Sequence, residues 1–126
     1  MTAMLENSAE VPGLRERHFD IARPRILGVF TGQGAQWPRM GARLIEASPM
    51  ASRQIDELDR YLAELPREHR PDWTLRGQLC AEPGSSKVYQ AYVSQPLCTA
   101  VQILLINLLG LAGVKLNAVV GHSSGT

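Results

Sequence analysis

Gly121-His122-Ser123-Ser124-Gly125 is the one stretch of this sequence whose residue types and spacing could break a covalent bond. A G-x-S-x-G run entered from apolar residues, here Ala118-Val119-Val120, is the sequence form of a nucleophile elbow. Such an elbow is a tight strand-to-helix turn that holds a serine hydroxyl clear of the backbone, where a substrate can reach it. Gly121 and Gly125 fit this reading because a Cβ at either place would meet the crossing strand or the following helix. Ser123 is therefore the candidate nucleophile. His122 is not expected to be its base, since adjacent side chains in a tight turn point apart.

A second candidate stretch is Thr31-Gly32-Gln33-Gly34-Ala35-Gln36-Trp37-Pro38, whose glycines allow backbone N–H groups to approach a ligand or another loop. It lacks the third glycine of a dinucleotide-binding loop, and Gly84-Ser85-Ser86-Lys87 lacks the spacing of a phosphate loop, so nucleotide binding is not expected. Gln36, Trp37 and Arg39 are read as packing and loop-fixing residues.

Strands and helices must bring these two stretches together. Ile26-Leu27-Gly28-Val29-Phe30 reads as a short strand buried on both faces of a parallel sheet, with close packing at Gly28. A helix is expected over 39–47, and Ser48 caps a second one that carries Ile55, Leu58, Leu62 and Leu65 on one stripe. Asp56 and Arg60 should pair on its wet side. Residues 66–73 form a loop in which Asp72 caps a brief helix from Trp73 to Cys80, and 82–87 form another loop. Ser94 should begin the strongest helix, with Pro96 near its start, leucines from 97 to 109 buried on more than one side, and Gly110 and Gly113 ending it. A strand over 118–122 follows. Strand, helices, strand describes a right-handed parallel crossover, which brings Gly32 to Gln36 and Ser123 to the same carboxyl edge.

At this point both stretches are familiar. The 30–37 loop, the 121–125 elbow and Ser94-Gln95-Pro96-Leu97-Cys98-Thr99-Ala100 together resemble the acyltransferase, or malonyl-CoA:acyl-carrier-protein transacylase, domains of fatty-acid and polyketide synthases. With Trp73-Thr74-Leu75 added, the likeness is to fungal iterative type I polyketide synthases of the highly reducing kind, over about Ile26 to Gly125. The resemblance implies an α/β fold: the N-terminal portion of the acyltransferase hydrolase-like core, mostly helical, with short parallel strands near 26–30 and 118–122. Residues 1–24 are then a leader or interdomain linker, and 25–126 the N-terminal part of the domain, truncated just after the elbow.

The resemblance further implies that Ser123 takes a malonyl-type acyl group from coenzyme A as a serine ester and passes it to the phosphopantetheine thiol of an acyl carrier protein. Backbone N–H groups of Gln33 and Ser124 match the family's oxyanion hole, with Gly32, Gly34, Gly121, His122 and Gly125 shaping the surrounding loop and elbow. Acyl-CoA enters as substrate, no cofactor is expected to be bound, and the other synthase domains are the remaining partners. The general-base histidine and the arginine that grips the malonyl carboxylate belong, in the family, to sequence after the elbow. His18 and His69 occupy a leader and a charged loop and match neither. An inactive fragment or docking piece of a synthase, and a serine esterase or thioesterase, are the competing readings.

Composition narrows the classes further. Thirteen basic and twelve acidic residues among 126 leave no electrostatic case for nucleic acid. The longest uninterrupted apolar run, Ile103 to Ile106, is too short for a bilayer, and residues 1–10 lack the pattern of a secretory signal, so no membrane partner is expected. Cys80 and Cys98 have no companions at metal-ligand spacing; they are expected to be small buried groups in a reducing, cytoplasmic setting, with no metal site.

Overall fold

A computed structural model of the chain describes residues 24–123. Strand β1 (Leu27–Phe30) is followed by α1 (Ala42–Ala47), α2 (Pro49–Ala63), α3 (Leu75–Cys80) and α4 (Ala91–Leu111), and the described part closes with β2 (Ala118–Gly121). The leader reading of residues 1–24 lies outside the described residues except for Pro24, as do Ser124, Gly125 and Thr126.

The α/β class is as expected, with both short strands where the apolar runs put them. They pair in parallel, Leu27 opposite Ala118 and Phe30 opposite Gly121. Asn117 locks the entry: its N–H donates to the Ile26 carbonyl and its Oδ1 accepts from the Ile26 N–H, each at 2.8 Å. Gly28 is required by a close approach, because a Cβ there would lie 2.6 Å from Leu116 Cδ1. Burial on both faces is not observed. Leu27, Val29, Val119 and Val120 are exposed, because all four described helices pack on one another and none of them covers the outer surface of this two-stranded sheet.

The core lies among the helices, where Ile55, Leu75, Leu79, Val93, Leu97 and Leu104 are buried together. Helix α2 starts as its sequence requires: Ser48 Oγ accepts the Ala51 N–H at 3.2 Å, and Pro49 fills the first helical position, where its missing N–H costs nothing. Helix α1 is shorter than 39–47. Arg39 and Gly41 adopt left-handed backbone angles, φ 64° and 81°, which a continuous helix excludes.

Several local expectations are corrected by tertiary contacts. Asp56 pairs with Arg76 rather than Arg60, Oδ1 to Nε at 2.7 Å, because the Arg76 guanidinium is also held by the Ser52 carbonyl and hydroxyl, both at 2.8 Å. That multiple hold outweighs a solvated pair one turn apart. Arg60 instead leans to Glu57 and over the Tyr61 ring. The α3 cap is Thr74, not Asp72: Thr74 Oγ1 accepts the Gly77 N–H, while the Asp59 carboxylate reaches across from α2 to the N–H groups of Leu75 and Arg76.

Helix α4 begins at Ala91, three residues before Ser94, so Pro96 lies inside it rather than near its start. Gly110 is also inside; Gly113, at φ 86°, is the residue that turns the chain out, with Val114 N–H donating to the Leu109 carbonyl at 2.9 Å. One face of α4 is core, but Ile103, Leu105 and Leu109 are exposed, so burial on several sides is not met among the described residues. At 21 residues α4 is long and apolar enough to cross a membrane by length and composition, a property that counting uninterrupted runs missed. Core helices of soluble proteins pass the same test, and Val93, Leu97, Ala100 and Leu104 bury their face of α4 against the other helices.

Candidate active site

The parallel ladder decides where the two glycine stretches emerge. Its last pair is Phe30 with Gly121, and one residue further the His122 N–H donates to the Phe30 carbonyl at 3.0 Å. Thr31-Gly32-Gln33 and His122-Ser123 therefore leave the sheet side by side at its carboxyl edge, as the crossover reading required. Ser123 follows at φ 57°, a left-handed angle unusual for a residue with a Cβ. Angles of this kind cost about 1–3 kcal/mol each and collect at sites where a turn must present one side chain, which is what an elbow does.

The first loop is held from several directions. Gln102 on α4 donates from Nε2 to the Thr31 carbonyl at 2.7 Å. Gln33 donates from its own Nε2 to Ser94 Oγ at 3.1 Å. Gly34 turns at φ 114°, with its N–H given to Gln36 Oε1 at 2.6 Å; no atom lies within 4 Å of a notional Cβ, so the backbone angle rather than space requires glycine. Arg39 closes the loop, its guanidinium donating to the Cys80 carbonyl at 3.0 Å and to Glu82 at 2.9 Å, with Glu46 at 3.4 Å. The loop-fixing roles read for Gln36 and Arg39 are thus met, while the Trp37 side chain is exposed and only its carbonyl takes part, accepting from Met40.

Among the site residues expected from sequence, Gly32 is buried beside the sheet edge and Gln33 is exposed on the loop. Nothing among the described residues accepts the Gln33 N–H. Gly121 ends β2, and His122 and Ser123 are exposed after it. The second expected oxyanion donor, Ser124, and the flanking Gly125 lie outside the described residues. His69 sits on the α2–α3 connection beside Glu68 and is not brought to this edge by either strand. Sequence reading missed Ser94 and Gln102 as loop partners. The available signal was a polar residue at each place on a largely apolar helix, a signal that Gln95, Thr99 and Asn107 share.

Of the two cysteines, Cys98 is buried in the helical core, where desolvation raises its thiol pKa; Cys80 is partly buried. No cluster of three or more His, Cys, Asp or Glu able to hold a metal occurs among the described residues.

The family model described as "Acyl transferase domain" matches residues 28–126. The hybrid PKS-NRPS synthetase prlS of a fungal species is 63% identical over 112 residues, covering 89% of this chain and 3% of that protein. The hybrid PKS-NRPS synthetase phm1 of Pyrenochaetopsis is 58% identical over 125 residues, covering 99% of this chain and again 3% of the relative. Among solved structures, a loading acyltransferase from the avermectin modular polyketide synthase superposes with a TM-score of 0.68 at 34% identity, covering 78% of this chain and 29% of that one. The chain thus spans a few hundredths of the length of these synthetases and under a third of that solved acyltransferase.

Proposed function

Because the chain belongs to the acyl transferase domain family, we propose that it carries the nucleophile and the oxyanion loop of a polyketide-synthase acyltransferase. The observation that supports this most directly is the Phe30–Gly121 end of the ladder, which sets the Gln33 loop and Ser123 side by side.

The reaction runs in two displacements. Ser123 Oγ attacks the thioester carbonyl of a malonyl-type acyl-CoA; its proton leaves to a base, the carbonyl oxygen takes negative charge, and collapse expels the coenzyme A thiol. The thiol of a carrier protein's phosphopantetheine then attacks the serine ester and regenerates the hydroxyl. The oxyanion is held each time by the Gln33 and Ser124 N–H groups, and one such donor is worth ~3 kcal/mol of transition-state stabilisation. The base and the arginine for the malonyl carboxylate are assigned, from the family resemblance, to parts of the domain that these 126 residues do not include. The setting proposed is cytoplasmic, with the other synthase domains as neighbours and no bound cofactor.

Radiolabelled malonyl-CoA tests this reading. The polypeptide carrying the whole domain should take up one label per chain, Ser123→Ala should abolish it, and holo carrier protein should remove it. The 126 residues alone should stay unlabelled; labelling of them through Ser123 would overturn the assignment of the base elsewhere. Release of free malonate without carrier protein would favour a hydrolase.

A further inference from the structure

The peptide that carries the Gln33 N–H lies between Gly32 and Gln33, and the chain is anchored to α4 on both sides of it, at Thr31 and at the Gln33 side chain. On one side the Thr31 carbonyl accepts from Gln102 Nε2 at 2.7 Å. Since a peptide unit is planar, holding that oxygen limits the orientation of the plane that also contains the Gly32 N–H. On the other side the Gln33 side chain donates to Ser94 Oγ at 3.1 Å, and Ser94, only 1% exposed, donates in turn to the Ala91 carbonyl at 3.3 Å. Gly32 between them has no Cβ to restrict rotation of the intervening peptide. Without the two anchors that peptide could turn its N–H away and leave the oxyanion unsatisfied.

Resting on the acyltransferase reading above, we propose that Gln102 and Ser94 are positioning residues that hold the Gly32–Gln33 peptide with its N–H toward the developing oxyanion. They act through the loop and do not touch substrate. Because both stand on α4, Ser94 among its buried residues and Gln102 away from them, the packing of α4 in the helical core sets the orientation of a backbone group at the sheet edge. Gln102 has the stronger part, since its bond is the shorter and holds backbone directly.

The kinetic test follows acyl-serine formation in the full-length polypeptide carrying this sequence. Gln102→Ala should lower kcat by about 10- to 100-fold with KM for malonyl-CoA changed less than about threefold, the mark of a group acting in the transition state. Gln102→Glu adds a readout that mere destabilisation does not move. A protonated carboxyl can donate to the Thr31 carbonyl and a carboxylate cannot, so the ratio of variant to parent rate should rise as pH falls. Ser94→Ala should lower kcat severalfold. A kcat for Gln102→Ala within twofold of the parent, or a ratio for Gln102→Glu that ignores pH, overturns the proposal.

If the parent itself takes no label on Ser123, it is the acyltransferase reading that fails. The positioning claim is then decided by amide hydrogen exchange. Gln102→Ala should speed exchange over residues 31–36 by about tenfold while residues 49–63 keep their protection, as expected for loss of one hydrogen bond. Unchanged exchange in the loop overturns it.

Discussion

Leu97 on α4 is wholly buried and Val119 on β2 is 64% exposed, although both are aliphatic residues in regular elements of one short chain. The helical layer is closed by contacts within the described residues: Ser48 and Thr74 cap helices, Asp59 and Arg76 bridge α2 and α3, and Gly113 ends α4. The sheet is held by its ladder, the Asn117 lock and the hydrogen bonds between α4 and the loop above it. The buried core thus lies in one region and the candidate site in the other, and α4 connects them.

Truncating each region separates the two most sharply. Leu97→Ala should cost about 2–5 kcal/mol in urea or thermal unfolding, whereas Val119→Ala should cost about 0.5 kcal/mol or less, since little apolar contact is lost there. Equal losses would mean that the sheet faces are covered in solution. Next in size is the α3 cap. Thr74→Ala should cost about 1 kcal/mol, while Asp72→Ala should stay within about 0.5 kcal/mol; the reverse order would return the cap to Asp72.

The smallest effect concerns the thiols. Burial raises the Cys98 pKa above its ordinary value of 9.0, so the folded chain keeps that proton at pH values where the unfolded chain has lost it. Its contribution is complete below the unfolded value and is lost as pH rises through the folded one. Alkylation should therefore be slower at Cys98 than at Cys80 at every pH, and Cys98→Ala should flatten the fall in stability above about pH 9.

Much of this was legible in sequence because it depends on neighbours within a few residues. The Ser48-Pro49 helix start, the strand feeding the Gly32–Gly34 loop and the strand feeding Ser123 are all local signals, and each lies where its pattern put it. Errors fell where a distant group outcompeted a near one, or where the local pattern left more than one cap or starting point open. Arg76 took Asp56 from Arg60, Asp59 and Thr74 displaced Asp72, and α4 continued back to Ala91 although no side chain caps it there.

By itself the sequence named the candidate chemistry: a serine in a G-x-S-x-G run, a glycine loop, and a family resemblance joining the two. Only the tertiary structure decided that the Phe30 carbonyl meets the His122 N–H and that Gln102 and Ser94 reach the loop from α4. The physical reason is separation along the chain. A turn's backbone angles follow from its own residues, whereas a hydrogen bond between residues 71 positions apart exists only once the helical core has closed and set α4 beside the sheet edge.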